Sequence, residues 1–130
     1  MVKIMNIKKL FSIIAVCFFY VLVYANNIEM NSSVDRTSVA LNETFQLTIS
    51  IKGDSKSLPY FSIPTLKDFN VYGSSHSKSI SIENGNVTST VSYIYMLGPK
   101  KVGEYEIPSF KIEHNGQTYE TEPVKITVSQ

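Results

Sequence analysis

The chain has 130 residues, of which 12 are basic and 11 acidic, so its formal net charge is +1. Charges of both signs are interspersed along the sequence, which argues against a nucleic-acid-binding protein and against binding to an anionic membrane surface. The only cysteine is Cys17, which excludes an intramolecular disulfide.

The first 25 residues have the organisation of a signal peptide. Three lysines form a positive n-region, and the uncharged, largely apolar run LFSIIAVCFFYVLV follows at residues 10–23. This run is shorter than the roughly 20 residues of a membrane-spanning helix. Val23 and Ala25 suit the −3 and −1 positions of a cleavage site. We expect export to the periplasm or cell envelope with loss of Cys17; an uncleaved N-terminal anchor is the alternative.

Residues 26–130 have the length of one domain. Without residues 1–25 the chain keeps 9 basic and 11 acidic side chains, a formal charge of −2. A period of two in hydrophobicity, interrupted by turn residues, runs through this region and predicts β-strands. Asn84-Gly85 and Asn115-Gly116 are the dipeptides that best suit two-residue hairpin turns.

The predicted strands follow one another closely. We expect an antiparallel, immunoglobulin-like β-sandwich of about seven or eight strands in a single domain over residues 26–130, preceded by the signal peptide. In chain order the alternating segments are Ser38–Leu41, Phe45–Ile51, Phe69–Tyr72, Ile80–Ile82, Val87–Leu97, Tyr105–Ile107, Phe110–Ile112 and Val124–Val128, and a loop is expected from Pro59 to Asp68.

The stretch GEYEIP, residues 103–108, is interpreted as a structural corner. Gly103 precedes the strand, Tyr105 takes the place of the corner tyrosine of immunoglobulin-type sandwiches, and Ile107 takes that of the core cysteine two residues later. Pro108 lacks a backbone donor, so a bulge or bend is expected beside it. Further predictions concern the core, where Leu47 or Ile49 would face Ile107 and Phe69 or Val71 would replace the usual tryptophan.

Reactive groups in catalytic arrangements are missing from the sequence. His76 and His114, the only histidines, have neither a second histidine nor a carboxylate cluster at metal-ligand spacing. No G-x-S-x-G motif occurs. Asp35, Asp54 and Asp68 each lie near a predicted turn, where aspartate is common for backbone bonding, which disfavours a calcium site. We therefore expect no enzyme, no catalytic or metal-binding residue and no cofactor.

Several motifs together resemble the BatD family of aerotolerance, or oxygen-tolerance, proteins. SVDRTSVALNETFQLTISI at residues 33–51 is similar to the family's first strands, with Asn42 in place of a glycine. Residues 64–112 follow the family's order of a Pro-x-Leu-x-x-Phe-x-Val strand, a serine-rich strand, an Asn-Gly hairpin, a tyrosine-containing strand and a Pro-Lys-Lys-x-Gly-x-Tyr-x-Ile-Pro corner. The ending NGQTYETEPVKITV resembles the family's domain close.

The resemblance implies a non-enzymatic, exported interaction or structural module of the bacterial envelope. Its partners would be the von Willebrand-type and TPR-containing Bat proteins, and no nucleic acid. It covers only the N-terminal domain of family members, which usually continue to a C-terminal membrane helix. Membrane attachment would therefore come only from an uncleaved leader or from a C-terminal region beyond Gln130. The alternative left open is a carbohydrate- or surface-ligand-binding β-sandwich using the loop at residues 55–68 and exposed tyrosines.

Overall fold

A computed structural model describes residues 28–54 and 58–130, and this part of the chain is all-β, without a helix. The predicted signal peptide and Cys17 lie outside the described residues. Nine strands are present: β1 (Ile28–Val34), β2 (Ser38–Ala40), β3 (Phe45–Gly53), β4 (Phe69–Glu83), β5 (Asn86–Pro99), β6 (Gly103–Ile107), β7 (Lys111–His114), β8 (Gln117–Glu120) and β9 (Val124–Ser129).

The described strands form three sheets. Four strands make an antiparallel sheet in the order β1-β3-β5-β4. A second sheet has the order β2-β9-β6, in which β9 is antiparallel to β6 and parallel to β2. The third is the antiparallel β7–β8 hairpin. Residues 35–37 carry the chain from the first sheet to the second, and the backbone N–H of Gln46 donates to Asp35 Oδ1 at 2.8 Å at this crossing.

Both Asn-Gly dipeptides form the predicted hairpin turns. Asn84 and Gly85 have φ angles of 50° and 80°, and Asn115 and Gly116 have 51° and 77°. Two consecutive residues with positive φ are the requirement of a type I′ turn, which asparagine and glycine meet at the least cost. The first turn joins β4 to β5 and the second joins β7 to β8.

The serine-rich segment after Tyr72 differs from its prediction. Instead of two short strands, residues 69–83 form one strand of 15 residues that pairs with β5 along its whole length. The pairing is interrupted once: Val71 pairs with Leu97 and Gly73 with Met96, so the register shifts at Tyr72, as in a β-bulge. The side chains here are mostly small and polar, so hydrophobic alternation does not reveal the strand, which is held by backbone pairing to β5.

One hydrophobic core joins the sheets. Along β3 the burial alternates strictly, as the sequence predicts, with Phe45, Leu47, Ile49 and Ile51 at most 1% exposed. Buried side chains of the second sheet and of the β7–β8 hairpin belong to the same cluster. Its remaining members are Met30, Val39, Phe61, Leu66, Phe69, Tyr95, Leu97, Ile107, Phe110, Ile112, Ile126 and Val128.

The chain leaves the second sheet at Pro108. β6 ends at Ile107, and β7, four residues later, pairs only with β8 among the described strands. The base of the β7–β8 hairpin is closed by Thr121: its N–H donates to the carbonyl of Phe110, whose own N–H donates to Thr121 Oγ1 at 2.8 Å. Pro108 is thus followed by a change of sheet rather than by a bulge within a continuing strand.

Candidate interaction surface

The longest strand, β4, forms an edge of the first sheet. Among the described strands it is hydrogen-bonded to β5 alone, and all of its residues after Phe69 are exposed. Natural proteins commonly protect such edges with charges, prolines or a covering segment. From Phe69 to Ser77 the strand has no proline, aspartate, glutamate, lysine or arginine, and His76 is its only titratable basic side chain. A β-bulge interrupts the edge between Val71 and Gly73, and residues 73–77 beyond it have neither a proline nor a lysine or carboxylate to oppose pairing with another strand.

The far end of the same strand exposes two large apolar side chains. Ile80 and Ile82 are 55% and 70% exposed, although they alternate along the strand as core residues would. Ile80 pairs with Ser89, which is level with Gly53 at the end of β3. Ile82 pairs with Val87, where the β4–β5 hairpin extends beyond the end of β3. A strand edge and an exposed apolar patch therefore occur on one hairpin, and both features are typical of interaction sites.

A second feature is a cavity of about 250 Å³ on the side of β4 that faces the loop before it. The loop lines it with Tyr60, Phe61, Ser62 and Ile63, and the strands line it with Ser74, Ser75, His76, Tyr93 and Tyr95. We call this feature the aromatic cavity. No acidic side chain, lysine or arginine is among its lining residues.

In the aromatic cavity, Tyr93 contacts rings both from β4 and from the loop. The His76 ring stacks on it at 30° with the ring centroids 6.3 Å apart, and the pair lies directly opposite in the β4–β5 register. From the loop, the Tyr60 and Phe61 rings meet Tyr93 edge-on at 6.1 and 5.7 Å. The hydroxyl of Tyr93 accepts a hydrogen bond from the backbone N–H of Phe61 at 3.3 Å. These contacts fix the loop against the sheet.

Exposure differs strongly among the rings of the cavity. Phe61 and Tyr95 are buried at 4% and 6%, and the Phe61 ring also meets Phe110 at 5.6 Å, so these two belong to the core. Tyr60 is 81% exposed and projects from the same loop. Burial raises the pKa of the Tyr95 hydroxyl, the neighbouring Tyr93 and Tyr60 add to the rise, and a backbone hydrogen bond at Ile63 lowers it. The phenol therefore remains protonated at neutral pH.

The residues predicted as a structural corner lie at and around β6. Gly103 begins the strand with a φ of 144°, and the Tyr105 hydroxyl donates to the carbonyl of Val102 at 3.1 Å. That bond is exposed rather than buried, whereas Ile107 is fully buried. Pro108 is exposed and directly follows the strand. Tyr105 also contacts Phe69 of the first sheet, with the rings 6.0 Å apart.

Other residues discussed in the sequence analysis can be located in the structure. Phe69 is 3% exposed and packs against Phe45, whereas Val71 is 43% exposed, so Phe69 is the core residue of that pair. His76 is exposed and stacks on Tyr93. Within residues 28–54 and 58–130 no group of three histidine, cysteine, aspartate or glutamate side chains is placed to hold a metal ion. The same ranges contain no helix long and apolar enough to cross a membrane.

The described part of the chain is therefore all-β, and its surface includes an exposed strand edge and a cavity lined by rings. Residues 32–128 match the family model of BatD, described as the BatD DUF11 like domain, and the chain belongs to this family. This confirms the resemblance seen in the sequence, and the family is associated with the bacterial envelope. A search of curated proteins and a search of solved structures each gave no match.

Proposed function

We propose that the chain is an exported, non-enzymatic protein-interaction module of the bacterial cell envelope, built as an immunoglobulin-like sandwich. Membership of the BatD family supports the envelope location. The exposed edge of β4 is the observation that carries the interaction function. An extended segment of a partner that adds to such an edge gains affinity from main-chain hydrogen bonds and specificity from side-chain pockets.

The strand order supports the sandwich. One sheet of constant-type immunoglobulin domains holds strands A, B, E and D as neighbours, and F and G are neighbours in the other. The order β1-β3-β5-β4 reproduces the first arrangement, and the β6–β9 pair reproduces the second. On this assignment Tyr105 lies on strand F and bonds to backbone three residues upstream, as a corner tyrosine does. In the place of strand C, the described residues 58–68 form no strand.

The partners proposed from the family are the von Willebrand-type and TPR-containing Bat proteins. The test places a photo-crosslinking residue at Ser77, on the exposed edge of β4, in cells that express these proteins. The matched position is Glu113, which is also exposed but lies on the β7–β8 hairpin. Crosslinks to a Bat protein from position 77 and not from 113 are expected. No enrichment of any Bat protein under native conditions, from either position, would count against the proposal.

Export is tested separately by mass spectrometry of the protein in fractionated cells. A mature N-terminus at Asn26 in the periplasmic or envelope fraction is the expected result, because residues 1–25 have the organisation of a signal peptide. Retention of residues 1–25 on membrane-bound protein would support the uncleaved anchor. A cytoplasmic protein that begins at Met1 would contradict export.

The family match gives no support to the alternative of a carbohydrate- or surface-ligand-binding module. Its remaining basis is the aromatic cavity, which shares Ser74, Ser75 and His76 with the exposed edge of β4 but would hold a ligand through side chains rather than through main-chain pairing. The two functions therefore have separate tests.

A further inference from the structure

The aromatic cavity lies between the loop at residues 60–63 on one side and strands β4 and β5 on the other. Tyr60 and His76 present exposed rings on either side of Tyr93, one on the loop and one on β4. Ser62 of the loop and Ser74 of β4 also line the cavity, and Ser74 lies on the same face of β4 as His76, so the cavity offers apolar faces and hydrogen-bonding groups together. A cavity lined mainly by aromatic side chains with a few polar groups is the usual form of a small-ligand site.

The size of the cavity limits the ligand. Sites for drug-sized molecules have volumes of roughly 300–1,000 Å³, and the aromatic cavity has about 250 Å³. It therefore has room for one ring rather than for a large cofactor. An elongated ligand could place one ring in the cavity and extend past Tyr60, whose side chain is 81% exposed at the rim.

The charge of the cavity limits the ligand further. Its lining residues include no aspartate, glutamate, lysine or arginine. A carboxylate, sulfate or phosphate group would lose its hydration there without gaining a charged partner, which is costly. The cavity thus favours an uncharged ligand that has both apolar faces and hydroxyl groups.

We infer that the aromatic cavity binds a pyranose ring of a neutral oligosaccharide. The apolar C–H face of the sugar packs on the Tyr60 ring, and its hydroxyls bond to the serine hydroxyls and to His76. Proline and phenylalanine side chains of a peptide would match the rings but carry no group that bonds to a hydroxyl, whereas a pyranose carries several hydroxyls beside its apolar face. The serines on both walls favour the sugar.

Binding is measured on the full chain, as recovered from cells, by two-dimensional NMR with chitotetraose and maltotetraose as probes. The expected result is saturable shifts of the Ser62, Ser74, Ser75 and His76 amides with at least one of these sugars. Tetragalacturonate, which is acidic, and acetylated tetraproline amide serve as comparison ligands. Absence of saturable shifts with both neutral sugars overturns the inference. Saturation by tetraproline instead would assign the cavity to a peptide and would overturn it too.

Three variants test the role of the exposed ring. Tyr60→Ala is expected to weaken sugar binding about tenfold, because it removes one aromatic contact. Tyr60→Phe keeps the ring and is expected to retain most of the affinity. Tyr72→Ala removes a tyrosine that is 66% exposed but lies outside the cavity, and it should leave binding unchanged. Thermal unfolding of each variant identifies any loss of folding. Equal weakening by Tyr60→Ala and Tyr72→Ala in folded proteins would contradict the assignment.

Discussion

Two residues of β6, Tyr105 and Ile107, differ in what they contribute to stability. The hydroxyl bond from Tyr105 to Val102 is exposed, so Tyr105→Phe is expected to cost about 0.5 kcal/mol, the lower end of the usual range. Ile107→Ala leaves a cavity in the core and is expected to cost about 2–5 kcal/mol. Urea unfolding of the two variants measures both values. Equal and negligible losses would show that β6 is not a core strand.

Because the pKa of Tyr95 is raised in the folded state, we expect the protein to lose stability at alkaline pH. The usual tyrosine value is 10.0, and the folded state holds the pKa above it because burial disfavours the phenolate. The stabilisation is therefore fully present below the unfolded pKa and is lost as pH rises through the folded pKa. The free energy of unfolding, measured from about pH 9 to pH 12, should fall less steeply in Tyr95→Phe than in the unchanged protein. Tyr72→Phe is the exposed comparison, and an identical decline in Tyr95→Phe and the unchanged protein would contradict the prediction.

At the scale of elements, the β7–β8 hairpin depends on a buried hydroxyl. Thr121 is 4% exposed, and its Oγ1 accepts a hydrogen bond from the backbone N–H of Phe110. Thr121→Val preserves the shape but leaves this N–H without its acceptor, which should cost about 1–3 kcal/mol. Thr121→Ser keeps the hydroxyl and removes one methyl group, with an expected cost of about 0.8 kcal/mol. Denaturant unfolding compares the two variants, and a smaller loss for valine than for serine would be the contrary result.

The β4–β5 hairpin shows which contacts a sequence pattern can predict. An Asn-Gly turn fixes the register of its two strands, so residues equally distant from the turn face each other. His76 therefore faces Tyr93, and the sequence already contained the information needed for that pair. The contact was missed because the serine-rich residues between Gly73 and Ser79 do not alternate in hydrophobicity, and β4 was predicted as two separate strands. A turn motif was a better guide here than side-chain polarity.

The other wall of the aromatic cavity was beyond the reach of sequence patterns. Tyr60 and Phe61 lie in a segment without regular structure, and their positions follow from ring contacts with residues about 30 positions later. Neither a period nor a turn motif encodes contacts of that kind. The loop was predicted, and ligand binding by this loop and exposed tyrosines was left open as an alternative, but the residues that the loop contacts were not predicted.

For the whole molecule, the all-β class and the BatD family were predicted from the sequence, and both are confirmed. The strand number was underestimated: nine strands are described where seven or eight were expected. β1 was missed: Ile28, Met30 and Val34 lie on one face, but Ser32 interrupts the apolar alternation, and of its residues only Met30 is buried. The division of the strands among sheets also could not be predicted, because the chain changes sheet at several short connections, such as residues 35–37 and 108–110, and no local pattern there specifies the next sheet.

The shared core predicts that the sheets unfold together. Leu47 of β3 and Ile126 of β9 belong to different sheets, yet both are at most 1% exposed and lie in the same hydrophobic cluster. Leu47→Ala and Ile126→Ala are each expected to cost about 2–5 kcal/mol. Each should shift one transition seen equally by far-ultraviolet and near-ultraviolet circular dichroism. The protein has no tryptophan, so its tyrosines supply most of the near-ultraviolet signal. Transitions that separate, with each variant moving only one of them, would mean that the sheets are independent units and that the core does not couple them.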